Sequence, residues 1–256
     1  MLCSGFVNQG KMTAKGLGMP NLPHTIHPGH VNLVTDEQLE QAVAGPMLQQ
    51  VIDGLTIQPA EARFAGEPGM RDVVFKGTYE EVNDHFLKNG WSEGLPVVPP
   101  TIRKIEEFLR FTPRKPEEVL GKALPDSREA TVWSVAVNGV MAGCRPEYMP
   151  VLVAIAEAMM DPVFGHEHLG HTPATETQII VNGKVLDDLG FNYLQAALRP
   201  GFQANTSIGR FWRMYLRNVC GFIPHQTDKG CFGGNFRIVL GENEEAARSM
   251  GWPTHA

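Results

Sequence analysis

A connector rich in proline and glycine divides this chain of 256 residues. Residues 56–74 contain two prolines and two glycines, which interrupt helices and strands alike and are typical of a segment between two folded units. We therefore expect three parts: a partial α/β unit over residues 1–56, a linker over 57–77 and a larger α/β domain over 78–256.

The larger part combines helical and strand patterns. Apolar periodicity predicts helices over residues 78–88, 102–111, 147–160 and 206–218, and β-branched runs predict strands at 178–181 and 236–240. This mixture favours a layered α/β domain over a helical bundle or a β-sandwich. Four methionines are interpreted as core residues that fill gaps: Met141, Met149, Met159 and Met160.

The smaller part is predicted to be incomplete. Residues 1–6 resemble the end of a strand, a helix is expected over 7–17, and a capping box at Thr35 opens a second helix over 36–55, kinked at Gly45 and Pro46. Two helices and one or two short strands leave sheet edges and an apolar face uncovered. We therefore expect this region to pack on another chain.

Charge and composition limit the classes of partner. The formal net charge is −6 and no block of like charges occurs, which argues against a nucleic-acid or anionic membrane surface. No apolar run approaches the roughly 18 residues that a membrane-spanning helix needs. We expect a cytoplasmic protein whose partners are small molecules or other proteins, with no nucleic-acid or membrane partner.

The four cysteines form no CxxC pair, so their spacing indicates neither a zinc ribbon nor a thioredoxin-type dithiol. Cys144 stands out because it precedes Arg145 and a helix expected to begin near Pro146. The positive end of a helix dipole lowers a thiol pKa, which makes Cys144 the best candidate nucleophile. The alternative is a small buried residue in a tight turn.

Six of the nine histidines fall into two triplets, and each could supply metal ligands such as those of zinc. The second triplet, HEHLGH, is not the helical HExxH pattern. The alternative is that these histidines lie in loops and bond to backbone or substrate. The triplets are His24, His27 and His30, and His166, His168 and His171.

Residues 203–210 are predicted to begin a helix with polar side chains. Free backbone N–H groups at such a start commonly hold a carboxylate or phosphate, and Arg210 would add further donors. The alternative is plain capping by Thr206 or Ser207, with Arg210 in solvent.

Several of these segments resemble the C-terminal domain of the UGSC-motif thiol and selenol enzymes. The resemblance covers about residues 78–245, and residues 3–55 are similar to the end of that family's N-terminal domain, itself like selenoprotein B of glycine and betaine reductases. It implies a Rossmann-like remnant at the start of the chain and a pocket between the two domains. The segments are NGWSEGLPVVPPT (89–101), VNGVMAGCRPEYMPV (137–151), IVNG (180–183), ANTSIGR (204–210) and ENEE (242–245).

One element of the family is absent from this sequence. Its members carry a loop of Sec or Cys, then Gly, Ser or Thr, and Cys, before the region where this chain begins. Either the chain is truncated or a second subunit supplies a Cys-Gly-x-Cys loop, and we favour the second subunit. A short protein ending in a Cys-Gly-Ser-Cys loop, encoded in the adjacent upstream reading frame, would support the second subunit.

The resulting hypothesis is an enzyme subunit that acts on a small polar or anionic molecule through a partner's cysteine or selenocysteine, as an oxidoreductase or a lyase. Cys144, His168 and His171 are the candidate catalytic residues. One alternative is a metal-dependent hydrolase or hydratase with a divalent ion on His166, His168 and His171. Another is a non-catalytic subunit. Expected substrate-binding residues are Glu93, Asn138, Arg145, Asn182, Asn205, Ser207 and Arg210.

Overall fold

The computed structural model describes residues 1–58, 68–172, 177–230 and 238–254. Outside these ranges lie Cys231, most of the first half of the predicted linker and part of the strand predicted at 236–240. The described elements mix helices with three two-stranded sheets, which confirms the α/β class. No helix in these ranges is long and apolar enough to cross a bilayer.

The first unit is a β-α-β arrangement followed by a bent helix pair. Strands β1 (Leu2–Cys3) and β2 (Ile26–His27) pair in parallel, and helix α1 (Val7–Gly16) connects them along the chain. Helix α2 (Asp36–Ala42) begins with the expected capping box at Thr35. The predicted kink is confirmed: a π-helical turn (Val43–Met47) with non-helical angles at Gly45 leads into α3 (Leu48–Thr56). The Rossmann-like character of this unit stays a prediction.

The second part begins with two helices and a hairpin. Helix α4 (Tyr79–Lys88) carries a capping box from Thr78, and α5 (Ile102–Leu109) is capped by Thr101. Strands β3 (Val119–Ala123) and β4 (Arg128–Thr131) then pair antiparallel, an element that the sequence analysis missed.

The remaining elements supply the centre of the domain. They are α6 (Val132–Met141), α7 (Met149–Met160), β5 (Ile180–Val181), α8 (Val185–Leu189), α9 (Gln203–Tyr215) with a π-helical extension (Leu216–Cys220), β6 (Leu240–Gly241) and α10 (Glu244–Ser249). Strands β5 and β6 pair in parallel.

Helices α6, α7 and α9 bury most of their residues and form the core. Gly139 lets α6 approach its neighbours, because a Cβ there would lie 2.7 Å from Leu152 Cδ1 and 2.9 Å from Phe108 Cε1. Even a methyl group would have to displace well-packed side chains. The four methionines interpreted as core residues are buried, as predicted.

Residues 1–58 contribute nothing to this core cluster, whose first member is Phe86. Instead, α3 exposes an apolar stripe of Leu48, Val51, Ile52 and Leu55, with Leu55 83% exposed. The spacing of these residues places them on one helix face. The unit touches the rest of the chain where Gly16, at the end of α1, lies against the backbone of Pro125 and Asp126. The domain boundaries themselves stay predictions.

Candidate functional site

The loop that carries the NGWSEGLP motif is fastened to α9 by long side chains. Arg210 donates from Nε to Glu93 Oε1 (2.5 Å) and from Nη2 to Pro96 O (2.7 Å). One π-helical turn beyond α9, Arg217 donates to Gly90 O and Asn218 donates to Trp91 O (3.1 Å). Residues seven or eight apart lie on one helical face, so the same side of this helix holds the whole loop.

The ion pair gives Arg210 and Glu93 structural partners in each other, and the roles of both in substrate binding stay predictions. Only 15% of the Arg210 side chain and 21% of the Glu93 side chain are exposed. Glu93 therefore already neutralises the guanidinium, and Pro96 takes a further donor. Arg210 is therefore not a solvated residue in this structure.

Cys144 lies just before the short helical turn Pro146–Tyr148, as the sequence analysis expected, but its thiol is buried. Burial raises the pKa of Cys144 to about 12, against smaller lowering effects from a hydrogen bond with Ser207 and the charge of Arg210. Desolvation disfavours the thiolate more than these neighbours favour it. The expected low thiol pKa is therefore wrong, and the catalytic role of Cys144 stays a prediction.

We expect Cys144 to resist iodoacetamide at pH 7 in the native protein, because the thiolate is the reactive form and its population there is very small. Half-buried Cys3 should be labelled faster than Cys144. The labelling rate of Cys144 should rise only as pH approaches its pKa of about 12, or on unfolding in denaturant. Peptide-resolved mass spectrometry measures both rates. Fast native labelling of Cys144 at pH 7 would contradict the buried-thiol assignment.

A small open cavity of about 400 Å³ lies at the start of α9, lined in part by Gln203, Ser207 and Arg210. The helix begins at Gln203, where the polar segment 203–210 was predicted to begin one, and Phe202 at its N-cap makes no side-chain cap. Ser207 donates to Gln203 O (2.6 Å), so its hydroxyl serves the helix backbone. A substrate-binding role for Ser207 stays a prediction.

Asn205 has a structural role in this fold, and its assignment to substrate stays a prediction. The side chain is fully buried, accepts from Asn192 N (2.8 Å), and donates to Asn192 O (2.9 Å) and Val239 O (2.8 Å). It thus joins the loop after α8 to the chain entering β6.

Two other predicted binding residues, Asn182 and Arg145, do not line the cavity at the start of α9. Asn182 donates to Glu242 Oε2 (3.2 Å) beside β5 and β6 and lines a separate cavity of about 530 Å³. Arg145 is exposed, pairs with Glu147 (3.1 Å) and lies over the ring of Tyr148. The structure gives both residues local partners, and their roles in binding stay predictions.

Asn138 is buried and lines a cavity of about 710 Å³. It donates to Ser134 O (2.9 Å) and accepts from Asn218 Nδ2 (3.0 Å). The sequence analysis missed Asn218, although its position eight residues after Arg210 was a signal that the two share a helix face.

The histidine triplets do not converge on an ion. His166 is buried and its Nε2 accepts from Leu124 N (2.8 Å), while His168 is 83% exposed and His171 lies on the surface. In the first triplet, His27 is buried and its Nδ1 lies 3.2 Å from Gly29 O. Among the described residues, no group of three His, Cys, Asp or Glu side chains is placed to hold a metal. A metal on the second triplet is not supported by this geometry.

Burial also affects the titration of His166. Desolvation lowers its pKa, and the nearby Glu167 carboxylate opposes this shift. A neutral imidazole is consistent with Nε2 accepting a backbone hydrogen bond. The acid–base roles expected for His168 and His171 stay predictions.

The comparison with known families identifies the first segment. Residues 1–57 match the model of the UGSC family. The match confirms the resemblance to UGSC proteins over the β-α-β unit and the bent helix pair. It does not extend to the motifs of residues 78–245 or to selenoprotein B, which stay resemblances of sequence alone. No curated protein and no solved structure matches the chain.

Proposed function

We propose that this chain is the substrate-binding subunit of a thiol- or selenol-dependent enzyme, and that a partner chain supplies the reactive cysteine or selenocysteine. One observation carries the proposal: the segment that matches the UGSC family exposes the apolar stripe of α3. Four large apolar side chains on one helix face are typical of a surface that another protein covers.

The state of Cys144 supports a nucleophile from outside this chain. Its raised pKa makes a thiolate scarce near neutral pH, and Cys220 is buried with its pKa raised as well by desolvation. Nucleophilic thiols in enzymes have lowered pKa values and some access to substrate. Neither of these two buried thiols fits that pattern, and the proposal assigns the covalent chemistry to the partner, as reductive cleavage, a lyase step or transfer through a thioether or thioester.

The same thiol environment also fits a non-catalytic subunit that stabilises its partner. The two proposals share the contact through α3 and differ in whether this chain binds substrate. Comparing the activity of the assembled pair with that of each chain alone separates them. A partner that is fully active alone would favour the non-catalytic role.

We expect Leu55→Glu to weaken association with the Cys-Gly-x-Cys partner at least tenfold. Burying one leucine contributes about 1.5–3 kcal/mol, and about 1.4 kcal/mol is tenfold in affinity. Leu198→Glu is the matched control, because Leu198 is 58% exposed and lies outside the UGSC segment. Light scattering of the mixed proteins gives the mass of the complex. If the wild-type chain stayed a compact monomer and did not bind the partner, the proposal would be overturned.

A further inference from the structure

The cavity beside Asn138 lies among α4, α5 and α6 and is separate from the cavity lined by Gln203, Ser207 and Arg210. Its volume of about 710 Å³ is within the roughly 300–1,000 Å³ typical of small-molecule sites. We infer that it binds an uncharged planar ring that carries an amide or lactam group. The inference stands on the geometry of this cavity and does not depend on the proposed partner.

Aromatic side chains give the cavity its preference for a planar ligand. Phe86, Trp91 and Trp133 are all among its lining residues. The Trp91 ring meets Phe86 edge-on at 5.3 Å and His85 at 5.4 Å, so its orientation is fixed by packing. Arg71 lies 5.1 Å from the centre of the Trp133 ring and pairs with Glu106. Arg71 covers one face of Trp133, while Trp91 is partly exposed and presents a surface on which another ring can stack.

Polar groups in the same cavity match an amide. Asn218 donates both amide hydrogens, one to Trp91 O and one to Asn138 Oδ1. Its Oδ1 has no hydrogen-bond partner among the described residues. Thr131 Oγ1 accepts from Ser134 N (3.1 Å), a bond that does not use its hydroxyl hydrogen. An amide supplies both the N–H that Asn218 can accept and the carbonyl oxygen to which Thr131 can donate.

The charges of the cavity favour a neutral ligand. Its charged lining residues within the described ranges are Asp72, Arg128 and Glu129, all exposed and of mixed sign. The buried lining residue Asn138 is polar but uncharged. A charged ligand would lose its hydration without gaining a buried counter-charge, which is costly.

The first test compares three probes on the wild-type chain by titration monitored with protein NMR. Benzamide has the planar ring and the amide, cyclohexanecarboxamide keeps the amide without the planar ring, and benzoate keeps the ring but carries a charge. We expect benzamide to bind at least tenfold more tightly than either analogue. The indole signals of Trp91 and Trp133 should shift, while that of Trp212, which lines a different cavity, should not.

The second test fills the cavity without removing a polar contact. Val137 on α6 lines it and is half-buried, so Val137→Phe should weaken benzamide binding at least tenfold. Val151→Phe is the matched control, because Val151 is also half-buried on a helix but lines the other cavity. Equal affinity for the three probes, shifts at Trp212 instead, or unchanged binding by a folded Val137→Phe variant would each overturn the inference.

Discussion

Arg210→Ala should lower the free energy of unfolding by about 3 kcal/mol, since breaking a largely buried ion pair strands the other charge. Glu93 would keep its carboxylate in a site where only 21% of the side chain meets solvent, and Glu93 Oε2 is already buried without a partner in the described residues. The loop would also lose the donor to Pro96 O. Denaturant unfolding followed by circular dichroism measures the change.

Two further variants make this result specific. Arg103 pairs with Glu107 at 3.0 Å but is 78% exposed, so Arg103→Ala should cost under about 0.5 kcal/mol. Adding Glu93→Gln to Arg210→Ala should restore about 1 kcal/mol or more, because it removes the stranded charge. Wild-type stability in Arg210→Ala, with a loss of substrate binding alone, would instead favour the original role as an anion anchor.

Asn205→Ala should cost about 3 kcal/mol of stability, since each buried polar group left unpaired costs about 1–3 kcal/mol. Three backbone groups, on Asn192 and Val239, would lose their partner at once. Asn182→Ala is the control, because Asn182 is partly exposed and its side chain donates to Glu242 Oε2 at 3.2 Å. We expect that variant to cost under about 1 kcal/mol. Similar unfolding midpoints for both variants would contradict the structural role of Asn205.

Local signals in the sequence were enough to predict most helices. The capping box at Thr35 and the interruption at Gly45 and Pro46 act within a few residues, and the structure places both as expected. The β3–β4 hairpin was missed because Val119–Ala123 and Arg128–Thr131 show weak alternation of apolar and polar residues. Its turn signal, Pro125-Asp126-Ser127, was present in the sequence.

The candidate site depended on contacts that no local pattern contains. Glu93 and Arg210 were both selected from the sequence, but their pairing across 117 residues is set by tertiary packing. The sequence correctly predicted that Cys144 precedes a helical turn. It could not predict that the thiol is buried, and burial decides the pKa. Burial raised that pKa to about 12, against the lowering expected from the helix N-terminus.

The central claim is that the reactive thiol or selenol belongs to the partner. The most direct measurement labels the assembled complex with less than one equivalent of iodoacetamide at pH 7 and locates the label by peptide mass spectrometry. We expect the label on the partner's Cys-Gly-x-Cys loop, with Cys144 unmodified because of its raised pKa. Label on Cys144, with the partner's loop unreactive, would contradict the account.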